Sequence, residues 1–252
     1  LNLLDGATSL GGAANITGLS DVLVETNSIY IGNDPSTTTD DAQYNIAVGT
    51  TALDAVTTGD GNTATGHSAL GSNTEGYNNT AMGYQALRDN TTGINNTALG
   101  RATLATSTGG YNTATGSYAL AGNNTGDGNV GVGFEALKAN TTADYNTSVG
   151  YQSMYRNTTG NYNAAMGKFA LKANTTGNYN AAFGANALTF NTTASANTAL
   201  GFNTLVMNTT GSYNTATGRG ALYYNTTGTY NSASGSAALR LNTTGSYNTG
   251  IG

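Results

Sequence analysis

The chain repeats itself every 17 residues, and this periodicity constrains its fold more than any local motif does. Aligned on a closing glycine, the copies read NIAVG at Gly49, NTATG at Gly66, NTAMG at Gly83, NTALG at Gly100 and NTATG at Gly116, and continue through Gly133, Gly150, Gly167, Gly184, Gly201, Gly218 and Gly235 to Gly252. A degenerate first copy, SIYIG, closes at Gly32. The only departure in spacing is a 16-residue step from Gly100 to Gly116. The unit approximates N-T-A-x-G-x-x-A-L-x-x-N-T-T-G-x-Y. One register held over fourteen glycines describes a stack of equivalent units, with residues 1–27 as a lead-in and 28–252 as the repeat region.

Each column of this internal alignment carries a physical meaning. The closing glycine never varies, as expected where φ is positive or where a Cβ has no room. Four residues later comes a column of large apolar side chains that includes Leu87, Leu104, Leu137, Met154, Leu171, Leu188 and Leu205, and it predicts a buried ladder. Two residues before the glycine, from Ala47 onward, the chain keeps only Ala, Gly or Ser, so this column packs closely against the opposite wall of its own coil or against another chain. The Asn of NTT, at positions such as Asn140, Asn157, Asn174 and Asn191, matches a glycosylation sequon. Its recurrence favours a stacked amide ladder at a corner instead. A recurring Tyr, at Tyr145, Tyr162 and Tyr179 among others, predicts stacked aromatic packing beneath that corner, with a carbohydrate-binding stripe as the alternative.

Thr, Asn and Gly disfavour helix, and no segment keeps a helical apolar spacing beyond one turn. Short stretches containing Thr and Tyr, cut by Asn and Gly, favour strand. Two or three short strands per unit, stacked at about 4.8 Å, give an all-β solenoid of about fourteen rungs and roughly 65 Å. One Leu and a few Ala per rung make a thin core. That thinness predicts association of identical chains through the small-residue column, with a homotrimer as the geometry that leaves an axis free for length.

Composition excludes several functions. Charged residues are 8% of the chain against the ~25% usual for a soluble domain. The eight Lys and Arg stand singly along the sequence and the net charge is −5, which argues against a nucleic-acid surface. With no Cys and a single His, neither a thiolate metal site nor a triad can be assembled from recurring residues, so no catalytic, metal or cofactor residue is assigned. His67 reads as an exposed rung residue. Asp34, Asp40, Asp41, Asp54, Asp60 and Glu75 offer oxygen ligands of the kind Ca²⁺ takes, but not at the spacing of a calcium loop, and read as solvated loop. No run of ~18 apolar residues predicts a membrane span, and no basic and apolar leader is visible. Ice binding is disfavoured because the adjacent threonines of NTTG point to opposite faces.

The run NTALGxxxL followed by NTTGxYNTAxG resembles the repeats of bacteriophage and marine-bacterial tail-fibre-like proteins over residues 28–252. Ala81, Met82, Gly83 and Ala86 also match, more loosely, the S-V-A-I-G-x-x-A motif in the heads of YadA-type trimeric autotransporter adhesins. The resemblance implies a trimeric left-handed β-roll or β-helix on a virion or other extracellular surface. It would serve as a shaft or host-contacting fibre whose partners are further copies of itself and a host glycan or protein receptor. A cell-surface adhesin or self-associating filament is the alternative.

Overall fold

The computed structural model describes residues 22–25, 28–32 and 41–252. They form an all-β solenoid. A short hairpin of β1 (Val22–Glu25) and β2 (Ser28–Ile31) leads into thirteen three-residue strands, from β3 (Ile46–Val48) to β15 (Thr249–Ile251). β1 pairs antiparallel with β2, and from β2 onward every strand pairs parallel with the next in chain order. Equivalent residues face one another, as Ala165 does Ala182 and Ala182 does Ala199. The 16-residue step keeps this register, pairing Thr97 with Thr113 and Ala98 with Ala114.

Each rung contributes one strand, not the two or three that short Thr-rich stretches suggest. The reason lies just past the closing glycine. In the rung beginning at Tyr84, Gln85 has φ +57° and Leu87 φ +51°, both left-handed, so the chain cannot stay extended. Two turns result, closed by Ala86 N–H to the Gly83 carbonyl and by Asn90 N–H to the Leu87 carbonyl. Hydrogen bonding between rungs nevertheless continues through this wall. Gln85 N–H donates to His67 O in the preceding rung, whereas Leu87 N–H donates to Thr103 O in the following one.

The interior is one side chain thick. Strand centres such as Ala81, Ala98, Ala182 and Ala199 are fully buried, as are Leu87, Leu104, Leu137, Leu171, Leu188 and Leu205 on the turn wall. The two walls meet across the core. A Cβ placed on Gly131 would lie 3.2 Å from Leu120 Cγ, which shows why the strand centre stays small. The small-residue column is therefore internal packing within a single coil, and its expected place at a subunit interface is corrected.

What thickens the core is polar. Two columns of Asn are buried with it, the Asn of NTT and the Asn that opens each NTAxG. Asn174 Nδ2 donates to Asn157 Oδ1 at 2.8 Å, and Asn157 Nδ2 to Asn140 Oδ1 at 3.0 Å. In the second column, Asn180 directs both its backbone N–H and its Nδ2 to Asn163 Oδ1. The ladders share an acceptor, since Gly177 O receives Nδ2 of both Asn174 and Asn163. Except at Asn90, whose Oδ1 lacks a partner, the amides are thus satisfied by their neighbours above and below, which makes their burial tolerable.

Candidate functional site

With Ala and Leu turned inward, two outer surfaces carry the chemistry. The first is the sheet. The first and third residues of every strand point outward, and from Ile46 to Ile251 not one is charged. Met82, Met166, Phe183 and Leu200 are exposed there among Thr, Val and Ser. Thirteen strands at about 4.8 Å make a strip roughly 60 Å long and 10 Å wide, on the order of 600 Å². Paired T-x-T ranks do exist on this strip, at Thr63 and Thr65, Thr113 and Thr115, and Thr215 and Thr217. The adjacent threonines of NTT are engaged otherwise, as Thr158 Oγ1 donates to Thr175 O at 2.9 Å. The case against an ice-binding face thus rests on the large side chains that break the strip.

The second surface is the turn wall, across the core from the sheet. All eight Lys and Arg of the chain fall between a closing glycine and the Asn of NTT, or Ser107 in its place after Arg101, at Arg88, Arg101, Lys138, Arg156, Lys168, Lys172, Arg219 and Arg240. They stand singly in the sequence, but the stack gathers them onto one wall. Their scattering in sequence therefore no longer counts against a polyanion. Two are neutralised locally. Arg88 grips Asp89 through Nε and Nη2 at 2.6 and 2.5 Å, a hydrogen bond that raises the Arg88 pKa. Lys138 Nζ donates to Glu135 Oε1 at 2.6 Å, holding the Glu135 carboxyl below its ordinary value and raising the ammonium.

The other six have no ion pair among the described residues, and several lie against rings. Arg101 reaches Tyr118 at 5.3 Å, Lys172 reaches Phe169 at 4.2 Å and Arg240 reaches Tyr223 at 5.4 Å. Charge is distributed along the rod as well. Every one of the 13 acidic residues lies in 1–144, while 145–252 holds Arg156, Lys168, Lys172, Arg219 and Arg240 and no carboxylate side chain. A cleft of about 540 Å³ opens in this basic part, lined by Arg156, Phe169, Lys172, Phe190, Val206 and Tyr223. Asn186 and Asn203 line it too, joined by a 2.9 Å bond from Asn186 Nδ2 to Asn203 Oδ1. A smaller hollow of about 100 Å³ shares Tyr223 and Asn203 and adds Arg219 and Arg240, so the two run together.

The tyrosines form a third feature, at the corner. Tyr145, Tyr162 and Tyr179 stack with centroids 5.3 Å apart, and Tyr213, Tyr230 and Tyr247 at 4.8 and 5.1 Å. The stacking is as the sequence predicts, but the rings lie on the outside of the corner and not beneath it, about half or more exposed. Their backbones are left-handed, as at Tyr162 with φ +57°, which turns the ring away from the coil.

Of the remaining sequence candidates, His67 stands on the turn wall, in the column of Arg101, Lys168 and Arg219. His67 is exposed, hydrogen-bonded to Ser68 and stacked on Tyr84 at 5.4 Å. Asp34, Asp40 and most of the 1–27 lead-in fall outside the described residues, and among those described no three metal-ligating side chains converge. Gly83, Gly100, Gly133, Gly150, Gly167, Gly184, Gly201 and Gly218 all have φ between +117° and +137°. Asn140, Asn157, Asn174 and Asn191 are buried, which closes those sequons in the folded chain. The Asn ladder of NTAxG and the cation wall were missed at the sequence level. In both cases column position was the available signal, an Asn in every copy from Asn45 to Asn248 and cations confined to one half of the unit. No helix of the described residues is long and apolar enough to cross a membrane. Comparison with family models, curated proteins and solved structures finds no match.

Proposed function

We propose that the chain is the shaft of an extracellular fibre of the virion-appendage kind, a structural element that spaces or presents a host-contact surface. The observation that carries this reading is the unbroken one-dimensional sheet from β2 to β15, in which every rung bonds only to its neighbours and length is the sole quantity that repetition increases.

In this reading the uncharged sheet strip packs against further copies of the chain in a homotrimer. The strip exposes Met82, Met166, Phe183 and Leu200 among uncharged Thr and Ser, which suits contact with another protein surface. Without charges it also imposes no repulsion between like copies. Light scattering should return three times the 25.4 kDa chain mass. Phe183→Lys with Leu200→Lys, which places two charges in the strip, should return single chains with an unchanged far-UV spectrum. A wild-type chain that stays monomeric at micromolar concentration would remove the trimer, and a compact, non-rod-like shape in electron micrographs would remove the shaft.

A further inference from the structure

The groove on the basic wall has no role in a purely structural rod. It spans six rungs, from Arg156 to Arg240, and its floor is apolar and aromatic at Phe169, Phe190, Val206 and Tyr223. Cations sit at both ends, Arg156 and Lys172 at one and Arg219 and Arg240 at the other; no acidic side chain follows Asp144, and of these four only Lys172 feels a nearby carboxylate, that of Glu135, already hydrogen-bonded to Lys138. Between them the Asn186–Asn203 bond uses one amide hydrogen and one carbonyl oxygen. The Asn203 amide hydrogens and the Asn186 oxygen are left without a protein partner among the described residues.

We propose that this groove binds an acidic polysaccharide, a chain in which uncharged and carboxylate-bearing sugar rings alternate. Ring faces of sugars are apolar and stack on aromatic side chains, sugar hydroxyls suit the Asn amides, and the carboxylates meet the terminal cations. The density of charge selects this ligand class over nucleic acid. Four cations are spread over about five rung spacings, near 24 Å, whereas each strand of DNA brings a phosphate every ~3.4 Å. The acidic rungs before residue 145 would repel a longer, more densely charged polymer. The proposal deepens the host-contact reading by assigning it a ligand and a wall, and it does not depend on the trimer.

The test is titration of the full chain with hyaluronan oligosaccharides, in which uronic acid and N-acetyl sugar alternate. Dextran is the neutral arm, a sulfated dextran the second anionic arm, and a 20-nucleotide oligothymidine the nucleic-acid arm. Hyaluronan should bind and weaken as salt rises, and dextran should not bind. Arg156→Gln with Lys172→Gln should lower hyaluronan affinity about tenfold, while Arg88→Gln, whose charge Asp89 already satisfies, should leave it unchanged. Tighter binding of sulfated dextran that these substitutions weaken equally would retain the groove but overturn the carboxylate assignment. Tighter binding of oligothymidine, binding indifferent to the double substitution, or no binding of any acidic saccharide would overturn the proposal. Scattering mass and rod shape, read on the same samples, report separately on the shaft.

Discussion

At the scale of single residues, two glycine columns separate conformation from space. Gly167 has φ +137°, and a Cβ there would lie 2.6 Å from the Gly184 carbonyl group of the next rung. Gly177, in the corner column, is as crowded, its Cβ directed at the Ala194 carbonyl oxygen and 2.5 Å from Asn174 Oδ1, but its φ is not positive. Ala143 and Ala194 already occupy the corner column, so the neighbours there can yield. Gly167→Ala should therefore lower stability by on the order of 3 kcal/mol, and Gly177→Ala by no more than about 1 kcal/mol, read from urea midpoints. Equal losses would assign the invariance of the first column to rung spacing alone. The need for glycine at 167 was legible, because no copy carries anything else there. The left-handed Leu column was not. Leu171, at φ +52°, carries a branched side chain in a region such residues rarely visit, and no propensity predicts it. It is held by its N–H bond to Ala187 O and by burial of its side chain, both properties of the stack and not of the segment.

At the scale of the repeating element, the NTT ladder has one flaw. In the 16-residue rung the column residue is Ser107, whose backbone N–H still bonds Leu104 O as in the other rungs. Its hydroxyl accepts Asn123 Nδ2 at 3.1 Å but is too short to reach back as an amide would, and the buried Asn90 Oδ1 is left with no partner. A buried acceptor without a donor costs about 1–3 kcal/mol. Ser107→Asn should recover part of this, raising the thermal midpoint at neutral pH, because its Nδ2 would face Asn90 Oδ1 and its Oδ1 would face Asn123. A midpoint that stays or falls would mean that the shortened corner does not admit the carboxamide. The period and the corner were legible from spacing, since only a loop shortens by one residue without shifting Ala98 against Ala114. The number of strands per rung was not, because the turns after each glycine carry Gln85, Tyr118 or Phe169 in left-handed conformations that composition does not announce.

At the scale of the whole molecule, the small-residue column was ambiguous in sequence because close packing inside a coil and close packing between coils demand the same residues. The fold resolves it, placing Ala182 and Ala199 inside and leaving Phe183 and Leu200 outside on the same strands. What a stack of equivalent rungs predicts is tolerance to loss of a whole rung. Deleting Gly150 through Met166 joins Val149 to Gly167, two neighbours that stand in the same relation as Val149 and Gly150 do now. Asn174 then inherits the place of Asn157 and meets Asn140 Oδ1, Asn180 meets Asn146 Oδ1 in place of Asn163, and Leu171 follows Leu137 in the buried ladder. The rod should shorten by about 4.8 Å and unfold with nearly the same midpoint, since only one nearest-neighbour interface is lost. Deleting eight residues from the same start instead sets Leu positions against NTT corners, buries unpaired amides and exposes the apolar ladder. That variant should be largely unfolded by circular dichroism. Equal midpoints for the two deletions would contradict a stack whose stability resides in equivalent contacts between successive rungs.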